Sequence, residues 1–260
     1  MAGAPHHAGA RRPSLFLAGS FTGARARGPP TQRYDMDLAG FFETLGEVWP
    51  LLANGLTTTL YVTVISLVVA MFLGIFVCLM NLSKIAPLRG IAKFYIWIIR
   101  GTPMLVQAFY FYFAVPQLLQ ATIAPDFRLD VVTASIITLI LNAGAYISEI
   151  FRGAIQSVPK GQMEASRSLG VGHAKTMQKI ILPQAVRICL PSLVNQCIIT
   201  LKDSTIMYAI GLPEIMNQAK VYVGRTFESF ATYTWVAVIF LVITSVLMIV
   251  SSQLEKRMRK

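Results

Sequence analysis

Residues 158–187 read VPKGQMEASRSLGVGHAKTMQKIILPQAVR, a polar and basic block that lies between long apolar segments. Its apolar residues are too sparse for a membrane span. Their spacing instead predicts short amphipathic helices on either side of a turn at residues 170–172. These apolar residues are Met163, Leu169, Met177, Ile180 and Ile181. The block is therefore expected to lie in water beside a membrane that the flanking segments cross.

The composition predicts an integral membrane protein. Of 260 residues, 55% are hydrophobic and only 13% are charged, and the mean hydropathy is +0.59, outside the balance of a soluble domain. The net charge of +11 is typical of nucleic-acid-binding proteins. Here the basic residues are spread between apolar spans, so membrane topology explains them better and no nucleic-acid partner is expected. Three cysteines in apolar segments, without metal-ligand spacing, are expected to be packing residues: Cys78, Cys189 and Cys197.

Five stretches are long and apolar enough to cross a hydrocarbon core of about 30 Å, which takes about 20 helical residues. They are residues 56–80, 94–119, 131–150, 188–212 and 232–250. The sequence therefore predicts an all-α membrane protein with five transmembrane helices.

Lysine and arginine counts predict how these spans are oriented. Fourteen basic residues lie in the connections after the first and third spans and at the C-terminus. From Met36 onward, only Arg128, Lys220 and Arg225 lie on the other side. Because basic residues accumulate in cytoplasmic loops, the C-terminus and residues 158–187 are expected in the cytoplasm. The segment from Met36 is expected outside.

Seven positions of the polar block form a known pattern. They are Glu164, Ala165, Ser166, Gly170, Ile180, Leu182 and Pro183. Their order and spacing resemble the signature E-A-A, three residues, G, nine residues, I-x-L-P of bacterial ABC importer permeases. Ser166 replaces the third-position alanine, one small residue for another.

The resemblance implies that residues 158–187 form a cytoplasmic coupling loop whose helix docks into a cleft on a separate ATP-hydrolysing subunit. The residue types suit that role. Glu164 offers a carboxylate near a helix start, Ala165 and Ser166 allow close approach, and Gly170 allows a sharp turn. Movement of the ATPase would then be transmitted as a rigid push, and all seven signature residues are expected to take part in coupling. The alternative is a solvated basic loop.

The resemblance covers residues 36–260, the predicted permease domain. Residues 36–52, MDLAGFFETLGEVWPLL, are similar to the start of related permeases. Residues 1–35 are rich in Gly, Ala, Pro and Arg, and their five arginines would have to be exported in the predicted orientation. This basic tail is expected to be disordered, and translation is expected to begin at Met36.

Polar side chains recur at helical spacing in the third and fourth spans, so that each set falls on one helical face. The third span carries Ser135, Thr138, Asn142, Tyr146 and Glu149. The fourth carries Ser192, Gln196, Thr200 and Asp203, with Asn195 and Lys202 beside them. Because a polar face in lipid is costly, both faces are expected to look inward. Together they favour a substrate pathway through Asn142, Tyr146, Glu149, Gln196, Thr200, Lys202 and Asp203. For each single residue, interhelical hydrogen bonding is an equally good explanation.

Lys202 and Asp203 lie well inside the fourth span, where a charge costs at least about 2.5 kcal/mol. Adjacent residues point about 100° apart on a helix and do not simply pair. The stretch LKDST therefore predicts a locally distorted helix of the kind that lines transporter binding sites. Whether these side chains touch substrate or stabilise the fold stays open. Gly211 and Pro213 are expected to end the span. Residues 214–231 would then form a short outer surface helix that could meet a substrate-binding protein.

Three further stretches are similar to the polar amino-acid group of permeases, and within it to glutamine permeases. They are residues 99–107 (IRGTPMLVQ), 141–155 (LNAGAYISEIFRGAI) and 195–215 (NQCIITLKDSTIMYAIGLPEI). In the first, Arg100 is interpreted as a positive-inside anchor, and Gly101 and Pro103 are expected to shape the helix entry. The resemblance implies ATP-driven import of a polar amino acid, most closely glutamine, across the bacterial inner membrane. No cofactor or metal is implied.

The partners implied by the resemblance are two copies of an ABC ATPase subunit, a periplasmic or lipid-anchored amino-acid-binding protein, and a second permease copy or a paralogous permease, all in a lipid membrane. The chain has no G-x-x-x-x-G-K-[ST] loop, so ATP hydrolysis by that chemistry requires a separate subunit.

Two other classes of function, a secondary transporter and a membrane-embedded enzyme, fit the sequence less well. A secondary amino-acid transporter without an ATPase partner fits the polar stripes but leaves the Glu164 signature unexplained. A membrane-embedded enzyme would need paired carboxylates, a metal cluster or a Ser/His arrangement at one depth, and the sequence predicts none.

Overall fold

The computed structural model describes residues 38–258, except the side chains of Leu38, Leu254, Glu255, Arg257 and Met258. Within this range the chain forms helices and their connections, without strands. The predictions for residues 1–35 and for a start at Met36 lie outside the described residues. The helices are α1 (Leu38–Leu82), α2 (Ala86–Gly101), α3 (Met104–Phe109), α4 (Val115–Thr122), α5 (Val131–Ser157), α6 (Lys160–Ser168), α7 (His173–Thr176), α8 (Leu182–Asp203), α9 (Ile215–Thr226) and α10 (Ser229–Met258). Two π-helical turns, Tyr110–Ala114 and Met177–Ile181, and a 3-10 helix, Ser204–Ile210, join some of them.

Four helical segments in the described range are long and apolar enough to cross a membrane, and a bent pair of helices supplies a fifth. The four are Ala39–Leu82, Val131–Ser157, His173–Ile210 and Ser229–Gln253, and the pair is Ala86–Gly101 with Met104–Thr122. These segments fall where the five predicted spans lie. The predicted fold class, an all-α membrane protein with five spanning segments, is confirmed.

The second spanning segment is broken, not continuous. Its two halves meet at an angle of 108°, and Thr102 at the break has an extended backbone (φ −121°, ψ 143°). Pro103 explains this conformation, because the proline ring disfavours the α conformation of the preceding residue. The predicted single helix over residues 94–119 is therefore wrong. Gly101 is the last residue of α2 and Pro103 is the N-cap residue of α3, so both shape a helix entry as predicted, but that entry lies within the segment and not at its start.

Helix α1 is 45 residues long and starts well before the predicted span. Residues 38–55 are mixed in polarity and include Pro50, so they carry only a weak helix signal. One face of this segment nevertheless packs against the end of the chain, where Val48 and Leu52 are fully buried with Ile215 and Val236. Tertiary contact outweighs local propensity here.

Helices α1 and α5 cross at close range because two glycines allow it. A Cβ atom on Gly74 would lie 2.5 Å from Cγ2 of Ile147, and one on Gly144 would lie 2.9 Å from Cδ2 of Leu73. Small residues at such crossings let membrane helices approach closely, where packing rather than water exclusion holds them together.

The end of the fourth span agrees with the sequence. The backbone changes from α-helix to 3-10 helix at Ser204, directly after Lys202 and Asp203, which confirms the predicted distortion. Gly211 then adopts a left-handed φ of 92°, a conformation that glycine reaches without a Cβ clash. This turn leads into α9.

Helix α9 lies against α1, so the predicted surface helix is surface-exposed on one side only. Ala219 and Tyr222 are buried on its inner side. A Cβ atom on Gly55 would lie 2.6 Å from Cα of Ile215, and the Ile215 N–H donates to the Thr59 hydroxyl at 3.2 Å. The N-terminal half of α1 and the start of α9 are thus almost in backbone contact.

Candidate coupling loop and transport pathway

The coupling loop folds as a short exposed helix that ends in a glycine cap. Helix α6 carries Glu164, and Gly170 has a φ of 78° just after the helix. The Gly170 N–H donates to the Arg167 carbonyl at 3.0 Å and the Val171 N–H donates to the Ser166 carbonyl at 3.2 Å. These two bonds form a Schellman motif, which closes the C-terminus of a helix and reverses the chain. A Cβ atom on Gly170 would meet nothing within 4 Å, so lack of space does not require a glycine here. The positive φ does, because residues with a Cβ rarely adopt it.

Ser166, the departure from the signature, has a specific partner. Its hydroxyl lies 2.8 Å from the hydroxyl of Thr176, and both side chains are buried. Thr176 also donates to the Gly172 carbonyl at 3.2 Å. The two hydroxyls connect α6 to α7 across the turn, in a position where alanine would make no such bond.

The apolar side of the loop is attached to the membrane helices. Val158 and Ile181 are buried in one cluster with Ala154 of α5 and Ala185 of α8. Residues of the loop pack against this cluster as well: Met163, Met177 and Ile180. A force applied to α6 would therefore reach α5 and α8 together.

The I-x-L-P end of the signature marks the junction between loop and membrane helix. In the π-helical turn Met177–Ile181, the Leu182 N–H donates to the Met177 carbonyl, five residues back. Pro183 follows directly, and it has no N–H with which to continue the α-helical pattern. Wider π turns of this kind occur often at functional sites.

The seven predicted coupling residues differ in exposure. Glu164, Ala165, Gly170 and Pro183 are exposed, Ile180 and Leu182 are half-buried, and Ser166 is buried. Within residues 38–258, no side chain forms an ion pair or hydrogen bond with the Glu164 carboxylate. The signature residues thus lie in one segment that is exposed around α6 and packs its apolar side chains against α5 and α8.

The polar stripe of α5 divides into two parts. At its N-terminal end, Ser135 and Thr138 are fully buried and donate to carbonyls of their own helix, those of Val131 and Ala134. Asn142 is buried too, and its amide donates to Oε1 of Gln107 at 3.0 Å. The polar side chains of this N-terminal part therefore form hydrogen bonds within the chain.

Gln107 bridges the break between α2 and α3. Its Nε2 donates to the Ile99 carbonyl at 2.7 Å and contacts the Thr102 carbonyl at 3.0 Å and the Thr102 hydroxyl at 2.9 Å. The broken helix leaves these carbonyls without their usual partners, and in lipid no water can replace them. Sequence reasoning missed this role. The available signal was a glutamine four residues after a proline in an apolar run.

At its C-terminal end, the α5 stripe forms a charged network around Glu149. The Glu149 carboxylate accepts two hydrogen bonds from Arg152, at 2.8 and 2.7 Å, and Arg100 lies 3.6 Å away. The Arg100 guanidinium also lies 5.2 Å from the centre of the exposed Tyr146 ring. Arg100 therefore does more than anchor the span, because it ties α2 to α5.

The predicted stripe of α8 is not one continuous polar face. Gln196 and Thr200 are buried, and the Gln196 amide donates to the Thr200 hydroxyl at 3.3 Å. Asp203 is half-buried, whereas the neighbouring face is exposed and carries Ser192, Asn195 and Lys202. In the described range, no cluster of three His, Cys, Asp or Glu side chains could hold a metal ion.

Glu214, which sequence analysis did not single out, caps α9. The side chain is completely buried and accepts the N–H groups of Met216 at 2.9 Å and Asn217 at 2.6 Å. Burial raises the pKa of Glu214 from 4.5 to about 7, although both backbone hydrogen bonds act in the opposite direction. An acidic residue directly before a helix start was the signal that could have located it.

Comparisons with known proteins agree with this arrangement. A family model described as "Binding-protein-dependent transport system inner membrane component" matches residues 66–260. The probable amino-acid ABC transporter permease YckA of Bacillus subtilis is 39% identical over 81% of this chain and 90% of its own length. The glutamine permease GlnP of Escherichia coli is 36% identical over 82% of this chain and 96% of its own. The L-cystine permease TcyB of Bacillus subtilis is 36% identical over 81% and 87%.

A solved structure, described as an amino acid ABC transporter with histidines, superimposes with a TM-score of 0.78 at 36% identity. It covers 83% of this chain and 98% of the solved chain. The chain belongs to the family of binding-protein-dependent transport system inner membrane components, the permeases of type I ABC importers. The relatives named above are permeases for amino acids.

Proposed function

We propose that the chain is the membrane permease of an ATP-driven importer for a polar amino acid, with glutamine as the first candidate. The observation that carries the proposal is the coupling loop: the signature residues form an exposed helix with a fixed cap and a buried base. The same signature belongs to permeases that work with a separate ATPase. ATP hydrolysis is assigned to that subunit, and this chain is assigned no enzymatic step.

The coupling step follows from how α6 is held. Glu164 and Ala165 face outward, while the Gly170 cap and the Ser166–Thr176 contact fix the direction of α6. Closure of two ATPase copies would press on this helix, and the shared cluster at its base would pass the displacement to α5 and α8. Because packed interiors resist compression, the loop transmits a displacement without absorbing it.

The orientation that the charge distribution predicts fits this scheme. It places the coupling loop and the C-terminus in the cytoplasm and α9 on the outer side, where a periplasmic or lipid-anchored binding protein would deliver substrate. The half of α9 that does not contact α1 is exposed and offers a docking face. A second permease copy, or a paralogous permease, would complete the transport pathway.

The pathway itself is assigned to residues of α5 and α8 that keep exposed surface. Tyr146 and Lys202 are exposed, and Glu149 and Asp203 are half-buried. Asn142, Gln196 and Thr200 lie behind them as buried hydrogen-bonding residues. Tyr146→Ala and Lys202→Ala should reduce uptake while leaving assembly with the ATPase unchanged.

Reconstitution tests the proposed function. The chain, its neighbouring ATPase and its binding protein are placed in proteoliposomes with ATP inside, and uptake of radiolabelled glutamine, cystine and arginine is compared. We expect uptake only with ATP and binding protein present, with glutamine transported fastest. Uptake driven by an ion gradient in the absence of the ATPase would support a secondary transporter instead.

A further inference from the structure

A cationic cleft lies between α2 and α5 at the end of the bundle that also bears the coupling loop. Its volume is about 450 Å³, and the polar and aromatic residues that line it are Asn81, Arg89, Lys93, Trp97, Glu149, Arg152 and Gln156. The coupling, pathway and capping roles described above do not use Arg89 or Lys93.

The charges in this cleft are unbalanced. Arg152 is paired with Glu149 through two hydrogen bonds and contacts Oε1 of Gln156 at 2.6 Å. Arg89 and Lys93 are exposed, and no carboxylate among the described residues pairs with them. They are four residues apart on α2, so they lie on one helical face and repel each other. A bound anion would remove this repulsion.

The surroundings of the two cations indicate what kind of anion fits. Trp97, four residues beyond Lys93, continues the same face and is 71% exposed, and Phe94 beside it is 60% exposed. Their rings lie 6.1 Å apart. Tryptophan at this position is typical of the membrane interface, where its ring sits at the level of the lipid headgroups. Cations at one end of the face and exposed aromatic rings at the other match a molecule with an anionic head and an apolar tail.

We propose that this cleft binds the headgroup of an anionic phospholipid of the cytoplasmic leaflet, with the phosphate between Arg89 and Lys93 and an acyl chain along Trp97 and Phe94. Basic pockets between membrane helices on the cytoplasmic side are suited to such headgroups. The assignment to the cytoplasmic leaflet rests on the orientation proposed above. The bound lipid would connect α2 to the inner end of α5, beside the base of the coupling loop.

Native mass spectrometry of the purified full-length permease tests the proposal, with phosphatidylglycerol and phosphatidylcholine offered in equal amounts. We expect the wild type to retain phosphatidylglycerol preferentially. Arg89→Ala/Lys93→Ala should reduce that preference about tenfold, whereas Arg89→Lys/Lys93→Arg should keep it. A matched control is Lys84→Ala/Lys256→Ala, which removes two cations from the same predicted side of the membrane but outside the cleft.

Further measurements distinguish a bound lipid from other ligands of the cleft. Excess inorganic phosphate should not displace the lipid, because a free anion cannot use Trp97, and Trp97→Ala should weaken retention. Equal lipid preference in the Arg89/Lys93 double variant and the wild type would overturn the proposal, as would displacement by phosphate or by glutamine. The measurement needs no transport, so it can succeed even if the proposed substrate is wrong. Labelling of an introduced cysteine at Lys84 from either side checks the orientation separately.

Discussion

Two helix breaks in this chain, one in the coupling loop and one between α2 and α3, are closed by different means. At the coupling loop, backbone groups and a glycine with positive φ close the end of α6, and the remaining polar groups face water. At the α2–α3 break, the glutamine side chain of Gln107 takes the free carbonyls, and Asn142 supports it. The surrounding solvent explains the difference, because a break inside lipid must satisfy its own backbone.

The largest effect is expected from removing the Gln107 side chain, which closes the break between α2 and α3. Gln107→Leu would leave the carbonyls of Ile99 and Thr102, and the amide of Asn142, without this partner. Each unsatisfied buried group costs about 1–3 kcal/mol, so we expect a large loss of folded protein after extraction and a much lower Tm. Gln117→Leu, the same change at an exposed position in α4, is the control. Equal Tm values for the two variants would show that Gln107 does not hold the break together.

At the coupling loop, changes should affect transport and leave folding intact. Glu164→Lys reverses an exposed charge on α6, the helix that we propose contacts the ATPase, so we expect uptake to fall at least about tenfold, by the loss of one charged contact. Stimulation of ATP hydrolysis by substrate and binding protein should be lost with it, while membrane insertion stays normal. Gln162→Lys adds a cation to the same helix as a control. Normal coupling in Glu164→Lys would show that this carboxylate does not contact the ATPase.

The glycine cap gives a smaller, graded effect. Gly170→Val would hold a β-branched residue at a φ of 78°, which costs about 1–2 kcal/mol, and it should reduce uptake several-fold. Gly170→Asn should be milder, because asparagine tolerates this region better. Gly161→Ala, where a Cβ also meets nothing within 4 Å, should stay near wild type. The ranking of the three in an uptake assay tests whether φ, not space, is the constraint.

Glu214 closes a third helix end, the start of α9, with a buried acidic side chain. Its folded-state pKa of about 7 exceeds the usual 4.5, so the folded protein binds more protons between these values. Stability should therefore fall as pH rises from 4.5 through 7. We expect the Tm of the wild type to decrease over this range and that of Glu214→Gln to change less. Exposed Glu43→Gln should keep the wild-type slope, and a similar slope in all three would rule out Glu214 as the cause.

The smallest effect concerns the Ser166–Thr176 contact. Ser166→Ala restores the residue usual in the signature and removes one hydroxyl pair, a contribution of about 0.5–1.5 kcal/mol. A double-mutant cycle with Thr176→Val should give a coupling energy of that order. Ser168→Ala, on the exposed side of α6, should show no coupling to Thr176. Additive effects of Ser166→Ala and Thr176→Val would mean that the two hydroxyls do not stabilise the turn.

Much of this architecture could be predicted from the lengths of the apolar segments and from short sequence motifs. The five spanning segments, the distortion at LKDST and the stop at Gly211 follow from residue types that act locally. The same local reasoning placed a helix entry at Pro103, which is the N-cap of α3, but it did not predict the bend of 108° between α2 and α3. Proline indicates that a helix is disturbed, but the position of the break relative to the bundle depends on distant partners such as Asn142.

The candidate site shows the same limit. Helical spacing correctly placed Asn142 and Glu149 on one face of α5, but spacing does not reveal what lies opposite. Asn142 meets Gln107 and Glu149 meets Arg152 and Arg100. Spacing also gives no indication of the roles of Ser166 and Glu214, for a related reason. A hydroxyl or carboxylate has value when it is buried next to a partner, and burial is a property of the whole fold.

The near-contact of Gly55 with Ile215 has a consequence for synthesis in the cell. The two residues are 160 positions apart, and the chain emerges from the ribosome N-terminus first. The N-terminal half of α1 must therefore wait, with Val48 and Leu52 uncovered, until α9 and the start of α10 have been made. Its partners are made much later than α1 itself, so truncation before α9 would leave Val48 and Leu52 exposed.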